Sequence, residues 1–380
     1  MTEPASGGAD LRRTSRDLEQ LRFALQSWLA GRFPTGTKVE IPQLTTSAAT
    51  GMSSETVLFP AIWEDTSGHV HTEDLVCRIA PNPIDVPVFP TYDMRGQFET
   101  IRLVAELTSV PVPNVRWLEE DTSLLGTPFF LMDRIDGAAP PDNPPYVFGN
   151  NWLFDAAWDQ RAALQSAMVD VLAKLHAIPD AEERFGFLFT PTEMAAGPTA
   201  LHRKVGRTSA WYDWTVAGGV RSPLVERGFA WLEENWPKDP GPTVLSWGDS
   251  RVGNVLFRDF QPVAVLDWEM AAVCPREVDL GWLIYGHYVF QDMATRYGLP
   301  GLPDFLRADD VAAAYETATG HTPRDLNFFI TYSALQYAIV FLRTGSRSVH
   351  FGEIPMPDDP DDLLHNREPL ERMLDGTYWS

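Results

Sequence analysis

Residues 247–257 read Trp-Gly-Asp-Ser-Arg-Val-Gly-Asn-Val-Leu-Phe, and residues 265–269 read Val-Leu-Asp-Trp-Glu. The apolar runs Val255–Phe257 and Val263–Leu266 flank the turn-forming stretch 258–262, which predicts a β-hairpin. A tight hairpin returns its second strand beside its first, so Asn254 at its start and Asp267 at its end can face one point. Hard oxygen ligands of this kind suit Mg²⁺, which takes one or two protein oxygens and completes its shell with water and phosphate. Asp249 lies five residues before Asn254, in a loop containing Gly248 and Gly253, and is expected to be left free there. A carboxylate so placed can take a proton from a hydroxyl or orient it for in-line attack.

Residue types, both spacings and the hairpin together resemble the phosphotransferase enzyme (aminoglycoside phosphotransferase) family, within the protein-kinase-like superfamily. The closest likeness is to an actinobacterial branch of that family. The resemblance implies an ATP-dependent small-molecule kinase, with Asp249 as the catalytic carboxylate and Asn254 and Asp267 as Mg²⁺ ligands. One departure is plain. Most of the family has His before Gly-Asp, and this chain has Trp247.

Working upstream, residues 46–56 (Thr-Ser-Ala-Ala-Thr-Gly-Met-Ser-Ser-Glu-Thr) fit a phosphate-covering loop between the first two strands. Their small side chains, including Ser53 and Ser54, allow backbone N–H groups to approach phosphate. A kinase fold also expects a strand cation on the α/β-phosphates. Lys38 precedes the loop, whereas Arg78 lies on the strand after it and is the candidate. Arg offers a planar fork where Lys offers a point charge. Gln97 falls at the position of the usual partner acid, with Glu99 two residues on as a weaker candidate. Residues 128–137 (Pro-Phe-Phe-Leu-Met-Asp-Arg-Ile-Asp-Gly) resemble the segment between lobes. Backbone from Asp133 through Arg134 to Ile135 would meet the adenine edge, with Met132 bordering the pocket. Asp279 resembles a family position that braces the catalytic loop. Glu269 is expected to point away from Asp267.

The expected fold class is α+β, a bilobal protein-kinase-like fold. Residues 1–132 form a small antiparallel-sheet lobe over the nucleotide. Residues 133–380 form a larger, mainly helical lobe carrying the hairpin and the acceptor site. Thr14-x-x-Asp17 resembles a capping box before Leu18, Leu21, Leu25, Trp28 and Leu29 at helical spacing. Strands are expected at 38–41, 56–63, 75–79, 115–118 and 128–132, with a helix at 91–107. Asp136-Gly137 and the Pro-rich run 139–145 mark the joint. Beyond it, helices are expected at 164–178, 223–236, 280–297, 311–319, 326–343 and 367–374.

The chain has 380 residues and a net charge of -22. Residues 1–132 carry 17 acidic and 10 basic residues and the rest 35 and 20, so the acidity is spread evenly. Such charge disfavours nucleic acid and anionic membranes as partners. Two distant cysteines, Cys77 and Cys274, make no disulfide scaffold. The first residues have no apolar signal core, and no stretch is long and apolar enough to span a bilayer. A cytoplasmic setting is expected, with the oligomeric state open. His69 and His71 are expected as exposed loop histidines and His176 as a packing residue. The acidic run 357–362 is either a solvated loop or a substrate element. The expected reaction moves the γ-phosphoryl group of ATP, with Mg²⁺, to a hydroxyl of an aminoglycoside-like cation or a hydroxylated metabolite. The rival is a non-catalytic nucleotide-binding module, prompted by Trp247 and Gln97.

Overall fold

The computed structural model of the chain describes residues 15–34, 37–46, 54–190, 194–217 and 219–379. Its first part is an antiparallel sheet with two helices. Helix α1 (Leu18–Ala30) is followed by β1 (Val39–Glu40), β2 (Thr45–Thr46), β3 (Glu55–Glu64) and β4 (Val70–Ile79). Then come α2 (Met94–Leu107), β5 (Val115–Glu119) and β6 (Phe129–Asp133). The strand order is β1-β3-β4-β6-β5, with β2 also on β3. Asp17 caps α1, its side chain accepting from Gln20 N at 2.9 Å. The cap is therefore Asp17 itself, and Thr14, expected to begin a capping box, lies outside the described residues.

Period-2 alternation gives this sheet two different faces. Leu75, Cys77, Ile79, Phe129 and Leu131 pack with Leu21, Leu25 and Leu29 of α1 in one core. Val76, Phe130 and Met132 point the other way and join the core of the helical region. Both cysteines are buried.

The larger region is helical: α3 (Trp158–His176), then helices Ala200–Thr215, Pro223–Glu234, Glu277–Arg296, Ala308–Thr319, Leu326–His350 and Arg367–Leu374. The architecture is thus the expected bilobal α+β arrangement. Two small antiparallel pairs sit among the helices. β7 (Thr243–Ser246) pairs with β10 (Ala272–Pro275), and β8 (Val255–Arg258) with β9 (Gln261–Val265). The expected hairpin is β8–β9, turning through Asp259 and Phe260, both at positive φ. β10 was not expected from sequence. Ala138 bridges to Phe257, and Val265 N donates to Pro111 O at 2.7 Å, so the hairpin is tied to the chain on both sides of β6. Among the described residues no helix is long and apolar enough to cross a membrane.

The acidic run near the C-terminus is largely structural. Asp361 is buried and accepts from Ser222 Oγ and from Leu224 N at 3.2 Å, fixing the start of the Pro223–Glu234 helix. Arg367 holds Asp359 and Asp362. Asp361 is thus a structural residue, while Asp359 and Asp362 keep much of their side-chain surface in solvent.

Candidate active site

β7 is buried and hands the chain to the 247–254 loop, whose backbone is fixed by one carboxylate. Asp279, in the first turn of the Glu277–Arg296 helix, accepts from Ser246 Oγ (2.7 Å), Trp247 N (2.8 Å) and Gly248 N (2.9 Å). It also meets His176 Nε2 at 3.1 Å, and His176 Nδ1 meets Tyr315 OH at 2.8 Å. Burial alone would raise the Asp279 pKa, but the hydrogen bonds from His176, Ser246 and Gly248 outweigh it and hold the carboxyl below its ordinary value. The bracing role expected of Asp279 is therefore visible as geometry. His176 packs, as expected, and also orients the brace.

Gly248 sits at φ +89°, and a Cβ there would lie 2.2 Å from Met270 O. Trp247 is fully buried and its indole Nε1 donates to Leu266 O at 2.9 Å. The Trp side chain thus staples this loop to the residue preceding Asp267.

Asp249 is not free, contrary to expectation. Its Oδ1 accepts from Trp282 Nε1 at 2.7 Å, and Arg251 Nε lies 3.2 Å from Oδ1 and donates to Oδ2 at 3.4 Å. Arg251 is itself paired with Asp142. Desolvation raises the Asp249 pKa, and the nearby Asp267 charge adds to it, against the opposing pull of Arg251 and Trp282. Trp282, Arg251 and Asp142 were missed from sequence. Trp282 follows Asp279 by three residues on one helix, so it shares the face that meets the loop; that spacing was the available signal.

Asn254 is buried and its Nδ2 donates to Asp249 O at 3.0 Å, while Leu266 N donates to Asn254 O at 2.9 Å. Asp267 adopts φ +63°, and its Oδ1 accepts from Arg78 Nη2 at 2.7 Å. Arg78 Nη2 also meets Ser54 Oγ at 2.6 Å, and Ser54 Oγ meets Glu269 Oε2 at 3.1 Å. Burial works to lower the Arg78 pKa, but Asp267 and Glu269 overcome it and raise it. Glu269 therefore faces Arg78 alongside Asp267, correcting the expectation that it points away. Residues two apart share a face under strand alternation, so the pattern itself groups the two carboxylates. Residues 47–53, Ser53 among them, lie outside the described residues; Ser54 is buried in the site.

Neither expected partner acid reaches Arg78. Glu99 pairs with Arg102 at 2.9 Å, and Gln97 is buried with its Nε2 lacking a hydrogen-bond partner among the described residues. Lys38 is exposed. At the expected hinge, Met132 is buried, and the Asp133 side chain pairs with Arg116 at 2.7 Å. Asp133 N donates to Asn114 O (2.9 Å) and Arg134 N to Asp74 O (3.0 Å). The sheet thus uses the N–H groups of Asp133 and Arg134, and Ile135 follows just beyond.

The donor set fits one Mg²⁺. Holding Asn254 Nδ2 on a carbonyl turns its Oδ1 away from that contact, and Asp267 has one oxygen on Arg78 and a second beside it. One amide and one carboxylate are what Mg²⁺ takes when phosphates and water supply the rest. Among the described residues, no group of three or more His, Cys, Asp or Glu could hold a metal by itself.

Residues 58–317 match the sequence model of the phosphotransferase enzyme family. Mouse acyl-CoA dehydrogenase family member 10 is 25% identical over 291 residues, covering 72% of this chain and 24% of that protein. The probable acyl-CoA dehydrogenase IBR3 of Arabidopsis thaliana is 24% identical over 270 residues, 66% of this chain and 31% of that protein. The chain thus spans a quarter to a third of the length of these curated relatives. Among solved structures, a candidate aminoglycoside phosphotransferase from Ralstonia eutropha superposes with a TM-score of 0.63 at 20% identity, covering 94% of this chain and 98% of that one. The GDP and kanamycin complex of APH(2")-IIia gives 0.55 at 14% identity, covering 92% and 98%. At these identities the structures attest the fold.

Proposed function

This chain belongs to the phosphotransferase enzyme family, and from that premise we propose that it phosphorylates a hydroxylated small molecule and that its residues divide the work as follows. The supporting observation is the convergence of Asp249, Asn254, Asp267, Arg78 and Ser54 from four separate segments on one buried point. ATP lies between residues 1–132, which cover it, and residues 133–380, which present the acceptor. The Ile135 N–H meets the adenine edge, with Met132 beside the ring and the Asp133–Arg134 backbone framing it. Ser54, with Ser53 before it, and Arg78 approach the phosphates. Asn254 Oδ1 and Asp267 hold Mg²⁺, which neutralises phosphate charge when bound.

Asp249 receives the acceptor. Trp282 fixes its Oδ1 and Arg251 Nε bridges both oxygens, with only a long 3.4 Å bond to Oδ2, so Oδ2 is the oxygen that takes the hydroxyl hydrogen. The hydroxyl oxygen bonds to the γ-phosphorus, the bond to the β–γ bridging oxygen breaks, ADP departs, and the proton passes to Asp249. The names of the curated relatives favour a hydroxylated acyl metabolite over an aminoglycoside as acceptor. The actinobacterial affinity and a cytoplasmic site of action, where ATP is at hand, belong to the same proposal.

ATP turnover with a panel of hydroxylated acceptors tests this. Asp249→Ala is expected to lower kcat by roughly 10²–10⁴-fold, the usual contribution of such a group. Equal rates in both proteins would favour a non-catalytic nucleotide-binding module. Against that rival stands Trp247, whose bond to Leu266 O keeps the loop anchored without the family His. Asp267→Ala is expected to abolish Mg²⁺-dependent ATP binding, read by calorimetry; unchanged affinity would remove it as a ligand.

A further inference from the structure

Arg343 is a half-buried cation without an anion. It lies on the Leu326–His350 helix, and its Nε donates to Pro87 O at 2.8 Å while its guanidinium lies 4.2 Å from the Trp214 ring centre. Among the described residues it forms no ion pair, and neither Nη atom has a hydrogen-bond acceptor. Burial lowers its pKa, against the opposing influence of Tyr92. A half-buried guanidinium in this position gains from an anion that meets its Nη atoms.

Its place in the fold is beside the reaction centre. On the same helix, the Tyr337 ring packs 4.8 Å from the ring of Trp282, whose Nε1 donates to Asp249 Oδ1 at 2.7 Å. From Tyr337 to Arg343 the helix rises about 9 Å. A second unmet group shares the Arg343 face. Gln336, seven residues earlier and 2% exposed, has its Nε2 without a hydrogen-bond partner among the described residues. Seven residues are nearly two full turns, so the two side chains lie on one stripe.

We propose that Arg343, with Gln336 on the same stripe, recognises an oxyanion on the acceptor, so that the acceptor carries a carboxylate or phosphate several bonds from the hydroxyl presented to Asp249. Stacking on Trp214 and the anchor at Pro87 hold the guanidinium in one plane, which suits paired hydrogen bonds to an oxyanion. This assignment rests on the phosphotransfer reading above and narrows it, and it disfavours a polycationic acceptor.

Four ten-carbon probes sharing a terminal hydroxyl test it: 10-hydroxydecanoate, 10-hydroxydecyl phosphate, decane-1,10-diol and 10-aminodecan-1-ol. Binding to the full chain is read by calorimetry without nucleotide. The wild type is expected to hold one or both anionic probes about 10–100-fold more tightly than the diol, the tighter of the two naming the group. Arg343→Gln is expected to erase that preference and leave diol binding unchanged. Equal binding of all four probes, preference for the amine, or an anion preference that survives in Arg343→Gln would overturn the assignment. So would a loss of ATP affinity in that variant with probe binding intact. Should Arg343→Gln fail to fold, Arg343→Lys decides: weaker anion binding supports the assignment, and wild-type affinity overturns it. Because no nucleotide is present, a failure of phosphoryl transfer would count against the proposed reaction and not against this recognition site.

Discussion

Asp249 Oδ1 meets two donors, Trp282 Nε1 at 2.7 Å and Arg251 Nε at 3.2 Å, yet the carboxyl is shielded from water, and burial raises its pKa. The ionised form is the one that accepts a proton. Activity should therefore be lost as pH falls through a value above the ordinary 3.8 of aspartate. Trp282→Phe removes a donor that stabilises the ionised form, so the acid limb of kcat/KM should move further up in pH. A profile from pH 4 to 8 checks this, and an unmoved limb would show that Trp282 does not set the titration. Residue identities at this site were legible in part. Asp249, Asn254, Asp267 and Arg78 stand in recognisable spacings. Arg251 and Asp142 do not, because their pairing joins segments more than a hundred residues apart. Glu269 was misplaced because alternation was misapplied: residues 267 and 269 are two apart and share a face, as their common contact with Arg78 shows.

At the scale of the element, the 247–254 loop depends on backbone positions more than on side-chain type. Gly248 combines a positive φ with a carbonyl where a Cβ would be, so Gly248→Ala must displace either the loop or Met270. A kcat loss of at least about tenfold is expected, from a loop shifted by a fraction of an ångström. The ATP dissociation constant should change little, since Arg78 and the hinge are elsewhere. Equal losses in both would point to general destabilisation. The β8–β9 hairpin was legible because two apolar runs bracket a turn. β10 was hidden because residues 272–275, Ala-Val-Cys-Pro, are all buried and show no alternation. The N-terminal cap was misread by one turn, since Asp17 supplies the oxygen that Thr14 was expected to give.

Across the whole molecule, the sheet belongs to two cores at once, which ties the small and large regions into one cooperative structure. A single thermal transition is expected; two separated transitions by calorimetry would contradict it. Buried His287 adds a pH dependence. Its Nε2 donates to Leu302 O at 3.0 Å and its Nδ1 accepts from Tyr146 OH at 2.8 Å, so the neutral ring is fully satisfied. Burial pushes its pKa down from 6.5 to about 4. Between those values the unfolded chain takes up a proton that the folded one refuses. Stability from this group is thus complete above pH 6.5 and lost as pH falls to 4, by roughly 3 kcal/mol. Urea unfolding of wild type and His287→Gln at pH 7 and 4.5 checks it: the wild type should lose more on acidification. The bilobal order was legible from the change in periodicity near residue 136, whereas burial of Asp361 was not, because an acidic Pro-Asp run reads as solvent-exposed.

The Arg78–Asp267 contact also joins the two regions, one partner coming from β4 and the other from beyond β9. Read thermodynamically, it makes the empty protein its own competitor. A nucleotide that claims Arg78 strands Asp267, and a cation that claims Asp267 leaves Arg78 with Glu269 alone. Either ligand alone leaves a buried charge short of compensation, and both together restore it. The free energies of binding should therefore be coupled, with each ligand raising the affinity for the other by the same factor. In Arg78→Gln that coupling should weaken. Calorimetric titrations of ATP with and without Mg²⁺, corrected for the complex formed in solution, measure it directly.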